Sequence, residues 1–408
     1  MTADRTILHC DCNGYYASVE CLFRPELREV PMAVCGDPDS RHGIILAKNE
    51  LAKRYGVVTA ETIWQAKRKC PELTLVATHH DAYSRISKQI NEIYGQYTDR
   101  VEAFSIDESW LDVTGSLHLF GTGRQIADEL RRRIREEIGV TISVGVSFNK
   151  VFAKLGSDYK KPDATTEITR ENYRDILFPL PVRDMIFIGH RAAETLQKVG
   201  IKTIGDLAGT EMEKLTALLG KAGQTMWRYA NGLDDAPVLR PDEQEAAKSI
   251  GNGITFAHNL ETEQDVRAGI LALADTVGRR LRRHKVKCTV VQLQIKDPDL
   301  KVISRQRSLE RPTDLSGEIA REAMELLHEA WPKGKPIRMM SVTGAGLVGE
   351  GAAEQLNLFD SGEDRARRGQ LEQALDAIEG RFGRGTVRRG SLLNSDIISD
   401  RKRPGEDR

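Results

Sequence analysis

The chain has 408 residues, 40% apolar and 29% charged, enough apolar material for several cores and a composition that excludes wholesale disorder. No window approaches the roughly 18 uninterrupted apolar residues of a membrane span, and the opening Met1-Thr2-Ala3-Asp4-Arg5 lacks the basic-then-apolar plan of a secretory signal, so a cytoplasmic protein with no membrane partner is expected. Sixty Lys and Arg balance sixty Asp and Glu, and the six cysteines, at 10, 12, 21, 35, 70 and 288, form no C-x-x-C pair, which argues against a zinc site or redox dithiol and fits a reducing compartment.

Residues 6–10 read as a short apolar strand that stops at Asp11. A helical run over 15–22 follows. Residues 44–77 mix short strands and helices, punctuated by Pro71, and helical periodicity returns over 81–97. Two strand-like runs come next: 101–113, with Asp107-Glu108 in its middle, and 140–148, ending at Asn149-Lys150. A helical pattern over 123–137 separates them. Strands alternating with helices, with acids at strand ends, predict an α+β sheet domain. From 171 to 236 the signals are helical, broken by Gly189, Gly200, Gly205 and Gly220. Residues 237–247 carry two prolines and read as a linker. Residues 248–348 restart as a small α/β module, and beyond Gly349 the composition turns polar and flexible.

Asp11 directly follows an apolar strand, so it lies at a sheet's end; Asp107 and Glu108 ride a second strand run able to reach the same edge. Gathered there, three acids would repel one another unless cations were bound. Hard divalent ions prefer oxygen ligands, and Mg²⁺ tends to share carboxylates with phosphates; paired metals can activate an attacking oxygen and stabilise a leaving one. For any single acid a helix cap or a solvated turn is the commoner role, and pattern alone does not bring the three together. A second feature is a basic stripe: eleven Lys and Arg against three Asp and Glu between Arg279 and Arg311. Such a stripe is a phosphate-binding footprint, although a charge run is more often a solvated face.

The segment Asp11-Cys-Asn-Gly-Tyr-Tyr-Ala-Ser-Val-Glu20 resembles the opening motif of Y-family DNA polymerases of the DinB type. Phe104-Ser-Ile-Asp-Glu-Ser-Trp-Leu-Asp-Val-Thr114 resembles their second catalytic motif, and Val144-Gly-Val-Ser-Phe-Asn-Lys-Val-Phe-Ala-Lys-Leu155 followed by Lys160-Lys-Pro162 is similar to their third. The resemblance runs with few gaps from residue 6 to 348. It implies a multidomain α+β right-hand polymerase. The palm, a mixed sheet plus helices, would span 1–13 and 81–169, with small fingers over 14–80. A helical thumb with a helix-hairpin-helix would span 170–236, with the linker at 237–247, an α/β little finger gripping DNA over 248–348, and a flexible tail over 349–408. The implied activity is template-directed addition of dNTPs to a primer 3′-hydroxyl by two-metal-ion transfer, with low fidelity, across damaged templates and without proofreading. The implied cofactors are two Mg²⁺ ions, with Mn²⁺ as a substitute. The implied partners are primer-template DNA and dNTPs, for a chain acting as a monomer.

The resemblance also implies roles by residue. Asp11, Asp107 and Glu108 would be the catalytic acids and, with the backbone carbonyl of Cys12, the metal ligands. Tyr16 would be the steric gate that leaves no room for a 2′-hydroxyl. Tyr15, Lys48, Asn49, Lys53 and Lys161 would meet the dNTP. Gly189 and His190 in a helix-hairpin-helix over 182–207, and Arg280, Arg283, Lys285, Arg305 and Arg307 in the basic stripe, would bind DNA. Gln355-Leu-Asn-Leu-Phe359 is similar to the peptide by which bacterial polymerases bind the sliding (β) clamp, through Gln355, Leu356, Leu358 and Phe359. Beyond it, Leu371, Leu375, Ile378 and Phe382 have helical spacing.

There are departures from the family pattern. Asn13 replaces an acid, and Gly14 stands where a bulkier residue is common. Glu50 and Lys53 stand where Tyr and Arg are usual. Lys53 keeps the charge but loses the bidentate fork, so Lys48, Asn49 and Lys53 are expected to share the triphosphate. Phe187 replaces the first glycine of a Gly-Ile-Gly turn. Two rival readings use the same palm: a catalytically silent adaptor, against which the three acids speak, and a nucleotidyl cyclase, against which the hairpin, the stripe and the clamp-like peptide speak.

Overall fold

The computed structural model describes residues 4–36, 43–244, 246–351, 363–383, 385–387 and 390. The chain divides into two compact units, 1–38 with 43–244, and 39–42 with 245–408.

The first unit opens with β1 (Ile7–Cys12) and α1 (Tyr15–Phe23). A small module follows: β2 (Met32–Cys35), β3 (Ile45–Lys48), α2 (Glu50–Arg54), α3 (Ile63–Lys69) and β4 (Thr74–Ala77). Its three strands lie in the order β3-β2-β4 over a core of Ala33, Cys35, Ile45, Ala52, Ala66 and Leu73. The chain continues through α4 (His80–Tyr94), β5 (Val101–Ala103), β6 (Glu108–Asp112), α5 (Leu117–Phe120), α6 (Gly123–Arg133), β7 (Ile142–Ser147), α7 (Lys150–Tyr159) and β8 (Thr165–Ile168).

The main sheet has the order β5-β6-β1-β7-β8. β1 is central and antiparallel to both β6 and β7. Strand alternation gives its two faces different tasks. Leu8, Cys10 and Cys12 join the core with Ile126, Leu130 and Ile134, each fully buried aliphatic side chain contributing about 1.5–3 kcal/mol. Ile7, His9 and Asp11 point to the other face, where Ile7 packs with Trp110, Ala153 and Val238 and α7 lies. That second face carries the chemistry.

Five helices complete the unit: α8 (Tyr173–Leu177), α9 (His190–Lys198), α10 (Ile204–Gly209), α11 (Met212–Leu219) and α12 (Lys221–Ala230). They share a core with Phe152 and Leu155 of α7.

The second unit is built from β9 (Ser249–Leu260), α13 (Glu263–Arg283), β10 (Val286–Lys296), β11 (Val302–Thr313), α14 (Ser316–Ala330), β12 (Ile337–Gly349) and α15 (Glu363–Phe382). Its strands, in the order β11-β10-β12-β9, pair antiparallel throughout. Ile270, Leu273, Val277 and Leu281 of α13 and Ile319, Ala323 and Leu326 of α14 cover one face.

Four expectations need correction. β1 runs through Asp11 to Cys12 instead of stopping at Asp11. The run 101–113 is a hairpin of two strands, with Asp107 in the turn; the amides of Phe104 and Ser105 both donate to Glu108 O (2.9 and 3.2 Å), which closes it. The linker is partly built into the first unit: Val238 is fully buried, and Leu239 N donates to Glu102 Oε2 (2.8 Å). The tail is not wholly flexible, because α15 docks on the second unit through ion pairs. Arg282 meets Glu372 and Asp376, Arg279 meets Glu379, and Arg365 meets Glu318. Its polar face is the docked one, which leaves Leu371 and Phe382 exposed. Residues 355–359 lie outside the described residues.

Candidate active site

The register of β1 on β6 sets Asp11 directly opposite Glu108. Like charges in that position are unfavourable, so the fold has placed two carboxylates where a cation is needed. Asp107 is the preceding residue in the hairpin turn. Cys12 N donates to its carbonyl (3.0 Å) and Ser105 Oγ to its Oδ1 (2.7 Å), which fixes the turn against the end of β1. The three acids, nearly a hundred positions apart in sequence, line one cleft of about 510 Å³ together with Tyr16, Lys48 and Lys161.

Two lysines already supply positive charge. Lys154 Nζ lies 3.0 Å from Asp11 Oδ2 and 2.9 Å from Glu108 Oε2; Lys161 Nζ lies 2.6 Å from Asp11 Oδ2 and 2.6 Å from Asp158 Oδ1. Lys154 and Asp158 are one turn apart on α7, so they share a face. The helix starts at Asn149, whose side chain accepts from Phe152 N. It can lie this close because β7 carries Gly145 opposite His9: a Cβ there would stand 1.9 Å from Ala153 O. Beneath the acids, His9 is fully buried. Its Nδ1 is 2.8 Å from Ser157 Oγ, while its Nε2 faces Glu108 Oε2 at 3.4 Å, beyond a good hydrogen bond. His9 Nε2, Asp11 and Glu108 offer ligand atoms within 4.8 Å of one another.

The two neighbouring acids are driven apart electrostatically. Burial raises the Asp107 carboxyl above its usual range, and the charges of Asp11 and Glu108 raise it further against the Ser105 hydrogen bond. Burial acts the same way on Glu108, but His9 and the Lys154 ammonium outweigh it and hold that carboxyl down at about 2. Burial lowers Lys154 and Lys161, yet the surrounding acids outweigh it and leave both ammonium groups more firmly protonated than usual.

Around this centre, α1 carries Tyr15 and Tyr16. The Tyr16 ring stacks on Tyr83 of α4, centroids 4.2 Å apart, and Tyr83 is held by its hydroxyl on Glu20 (2.5 Å). Tyr15 donates its hydroxyl to Tyr83 O (2.6 Å) and is nearly buried beneath the cleft. Asn13, standing where an acid was expected, joins β1 to the segment after α7: Nδ2 donates to Ser143 Oγ (3.0 Å) and Oδ1 accepts from Asp163 N (2.7 Å).

The expected triphosphate residues separate. Lys48 lines the cleft, donating to Thr59 Oγ1 (3.2 Å). Glu50 and Lys53 line it too and pair with each other (3.4 Å). Asn49 does not. Its side chain caps α2 by accepting from Ala52 N and also bonds Leu27 O, Val30 O and Met32 N, so backbone consumes its hydrogen-bonding capacity.

Lys154, Asp158, His9 and Tyr83 escaped the sequence reading. For the first two a signal existed in the helical spacing of Lys154, Asp158 and Lys161. For His9 it was the strand alternation with Asp11. Nothing local marks Tyr83.

The candidate DNA contacts also separate. Gly189 begins α9 and His190 is its exposed first residue. Phe187, at the former glycine position, takes a left-handed backbone (φ 67°) with its ring largely exposed. In the second unit Arg283, Lys285 and Arg305 are exposed, with no carboxylate in ion-pair range among the described residues. Arg280 donates to Gly251 O (2.8 Å). Alternation does put Arg305 and Arg307 on one side of β11, but it is the side that carries α14, where Arg307 meets Glu322, Glu325 and Glu329. Arg307 is therefore committed to protein carboxylates, as Arg279 and Arg282 are.

Among solved structures, a Y-family DNA polymerase chimera of Dbh and Dpo4 superposes with a TM-score of 0.74, covering 84% of this chain and 99% of the other at 23% identity. The fold is thus that of a Y-family polymerase. The family profiles agree. The impB/mucB/samB family matches residues 10–158, its C-terminal domain matches 247–358, and a thumb domain described from DNA polymerase iota matches 187–234. DNA polymerase IV of Acetivibrio thermocellus is 48% identical over 389 residues, 95% of this chain and 98% of its own. DNA polymerase IV 1 of Bacillus subtilis is 36% identical over 96% of this chain and 94% of its own. The chain belongs to the DNA polymerase IV, or DinB-type, family of Y-family polymerases. It is a DNA-directed DNA polymerase of the translesion class, which acts with divalent metal ions on primer-template DNA and dNTPs. Among the described residues, no helix is long and apolar enough to cross a membrane.

Proposed function

We propose that Asp11, Asp107 and Glu108, with the carbonyl of Cys12, hold two Mg²⁺ ions. The observation that carries this reading is the meeting of Asp11 and Glu108 across β1 and β6 beside Asp107, with Lys154 and Lys161 already attracted to the same oxygens. The donor set is hard oxygen at the mouth of a cleft, which suits Mg²⁺, and Mn²⁺ as a substitute. Bound there, the ions supply Lewis-acid stabilisation of charge on the reacting phosphate.

The chain's own groups do the rest by position and charge. Lys161 and Lys48 meet the triphosphate, with Lys53 at the rim. Tyr16, backed by the Tyr83 ring, presents a flat aromatic wall to the sugar and excludes a 2′-hydroxyl. Lys154 orients Asp11 and Glu108. The segments 1–13 with 81–169 act as palm, 14–80 as fingers, 170–236 as thumb and 248–348 as little finger.

Gly189 and His190 contact a DNA phosphate, and Arg280, Arg283, Lys285 and Arg305 contact the duplex backbone. Residues 355–359 bind a sliding clamp, and the chain works as a cytosolic monomer, in keeping with six free buried cysteines. The test is primer extension with Mg²⁺ titrated from zero, beside Asp107→Ala. The wild type should extend a primer only with metal and template, and the variant should not. Metal-dependent turnover of NTP without primer would favour a cyclase instead, and no extension by either protein an adaptor.

A further inference from the structure

On the three-stranded module, outside the cleft lining, Trp64 is 65% exposed and belongs to none of the unit's apolar clusters. We propose that Trp64, with Lys67 and Arg68, is a stacking platform for an unpaired base of single-stranded DNA, the template strand ahead of the pair being copied. The assignment of that strand rests on the polymerase reading.

The local structure makes the site. α3 begins with a capping box in which Thr62 and Gln65 exchange side-chain and backbone hydrogen bonds. Its buried face is Ala66. Trp64, Lys67 and Arg68 sit at i, i+3 and i+4, so they share the outward face. The Arg68 guanidinium lies 4.9 Å from the indole centroid. Neither Lys67 nor Arg68 has a carboxylate in ion-pair range among the described residues, whereas neighbouring Lys69 is taken by Glu61 and by Gly56 O. A core-facing role does not account for an indole left in water, and the helix C-terminus accounts for cations but not for the ring.

An exposed aromatic beside unpaired cations is the arrangement that holds single strands: the ring stacks on a base and the cations meet the flanking phosphates. A duplex does not fit, because its base faces are already covered by their neighbours. An acidic protein surface would use the cations and leave the indole face without a flat partner. The position suits a strand leaving the cleft. Thr62, the cap of α3, bridges Ile44 next to β3, and Leu46, Ala47 and Lys48 of β3 and Thr59 line the cleft.

The test uses the full chain with a primer-template bearing a 5′ overhang and the same duplex blunt-ended. Of the four tryptophans, Trp110 and Trp331 are buried and Trp227 is partly buried, so the Trp64 signal is read as the difference between the wild type and Trp64→Phe. Emission should fall on saturation with the overhanging DNA and not with the blunt duplex, and Trp64→Phe should abolish the change. Trp64→Ala should weaken binding of the overhanging DNA about tenfold relative to the blunt duplex, with Trp64→Phe retaining most of the affinity and thermal melting confirming that both variants fold. Equal quenching by both DNAs, equal loss on both, or no loss at all would overturn the proposal. Primer extension by the wild type is read separately, so failure of the polymerase reading would show as no extension whatever the overhang result.

Discussion

Adjacent acids in the cleft have opposite effects on the fold that carries them. Asp107 has its carboxyl raised by burial and by Asp11 and Glu108, so ionising it costs stability above the ordinary carboxylate range, and that cost disappears as pH falls. Glu108 is held at about 2 against an ordinary 4.5, so its contribution is present above 4.5 and is lost as pH falls through about 2. In chelator at neutral pH, Asp107→Asn should therefore raise the melting temperature and Glu108→Gln should lower it, each by roughly 2 °C for a change near 1 kcal/mol; scanning calorimetry would read both. Shifts of the same sign would mean that the Lys154 ammonium and the His9 contact do not divide the pair as described. At the rim, Lys53 is exposed and shares its charge with Glu50. Lys53→Ala should raise the dNTP KM about fivefold, near 1 kcal/mol, and an unchanged KM would remove Lys53 from the triphosphate set.

At the scale of elements, the site depends on how closely α7 approaches the sheet. Gly145 is the contact point, where any side chain would meet the backbone of Ala153, Gly156 and Ser157. Gly145→Ala must push α7 outward and carry Lys154 with it. The expected result is a loss of about 1–3 kcal/mol in denaturant unfolding together with a loss of extension rate out of proportion to that stability change; normal kinetics would show that the helix does not position the lysine. Much at this scale was legible in the sequence. An apolar run ending in an acid placed β1 and a second run placed strand structure over 101–113, though not the turn that folds it into a hairpin, and the caps Asn149 and Thr62 are visible as residues. Register was not legible. Nothing local states that Asp11 pairs with Glu108, that Tyr83 lies under Tyr16, or that the Asn49 amide is consumed by three backbone segments. Those are consequences of tertiary packing, and the motif resemblance supplied the first of them where periodicity could not.

The whole molecule carries no net charge, yet its second unit leaves Arg283, Lys285 and Arg305 in solvent while committing Arg279, Arg282 and Arg307 to ion pairs. Composition revealed the stripe but not this division, because the acids that pair with Arg279, Arg282 and Arg307 lie on α14 and α15, farther along the chain. Affinity for primer-template should still fall steeply with salt, since each phosphate contact releases counterions. A titration of binding against salt checks this, and a flat response would argue against backbone contacts by the second unit.

The docking of α15 changes what the segment before it can do. β12 ends at Gly349 and α15 begins at Glu363, fixed to the second unit by the Arg282 and Arg365 pairs. The thirteen residues between them, fully stretched, reach at most about 47 Å. A sliding clamp bound at 355–359, as proposed above, would be kept within that reach of the second unit, at high local concentration, and high salt that undoes the α15 pairs would lengthen the tether.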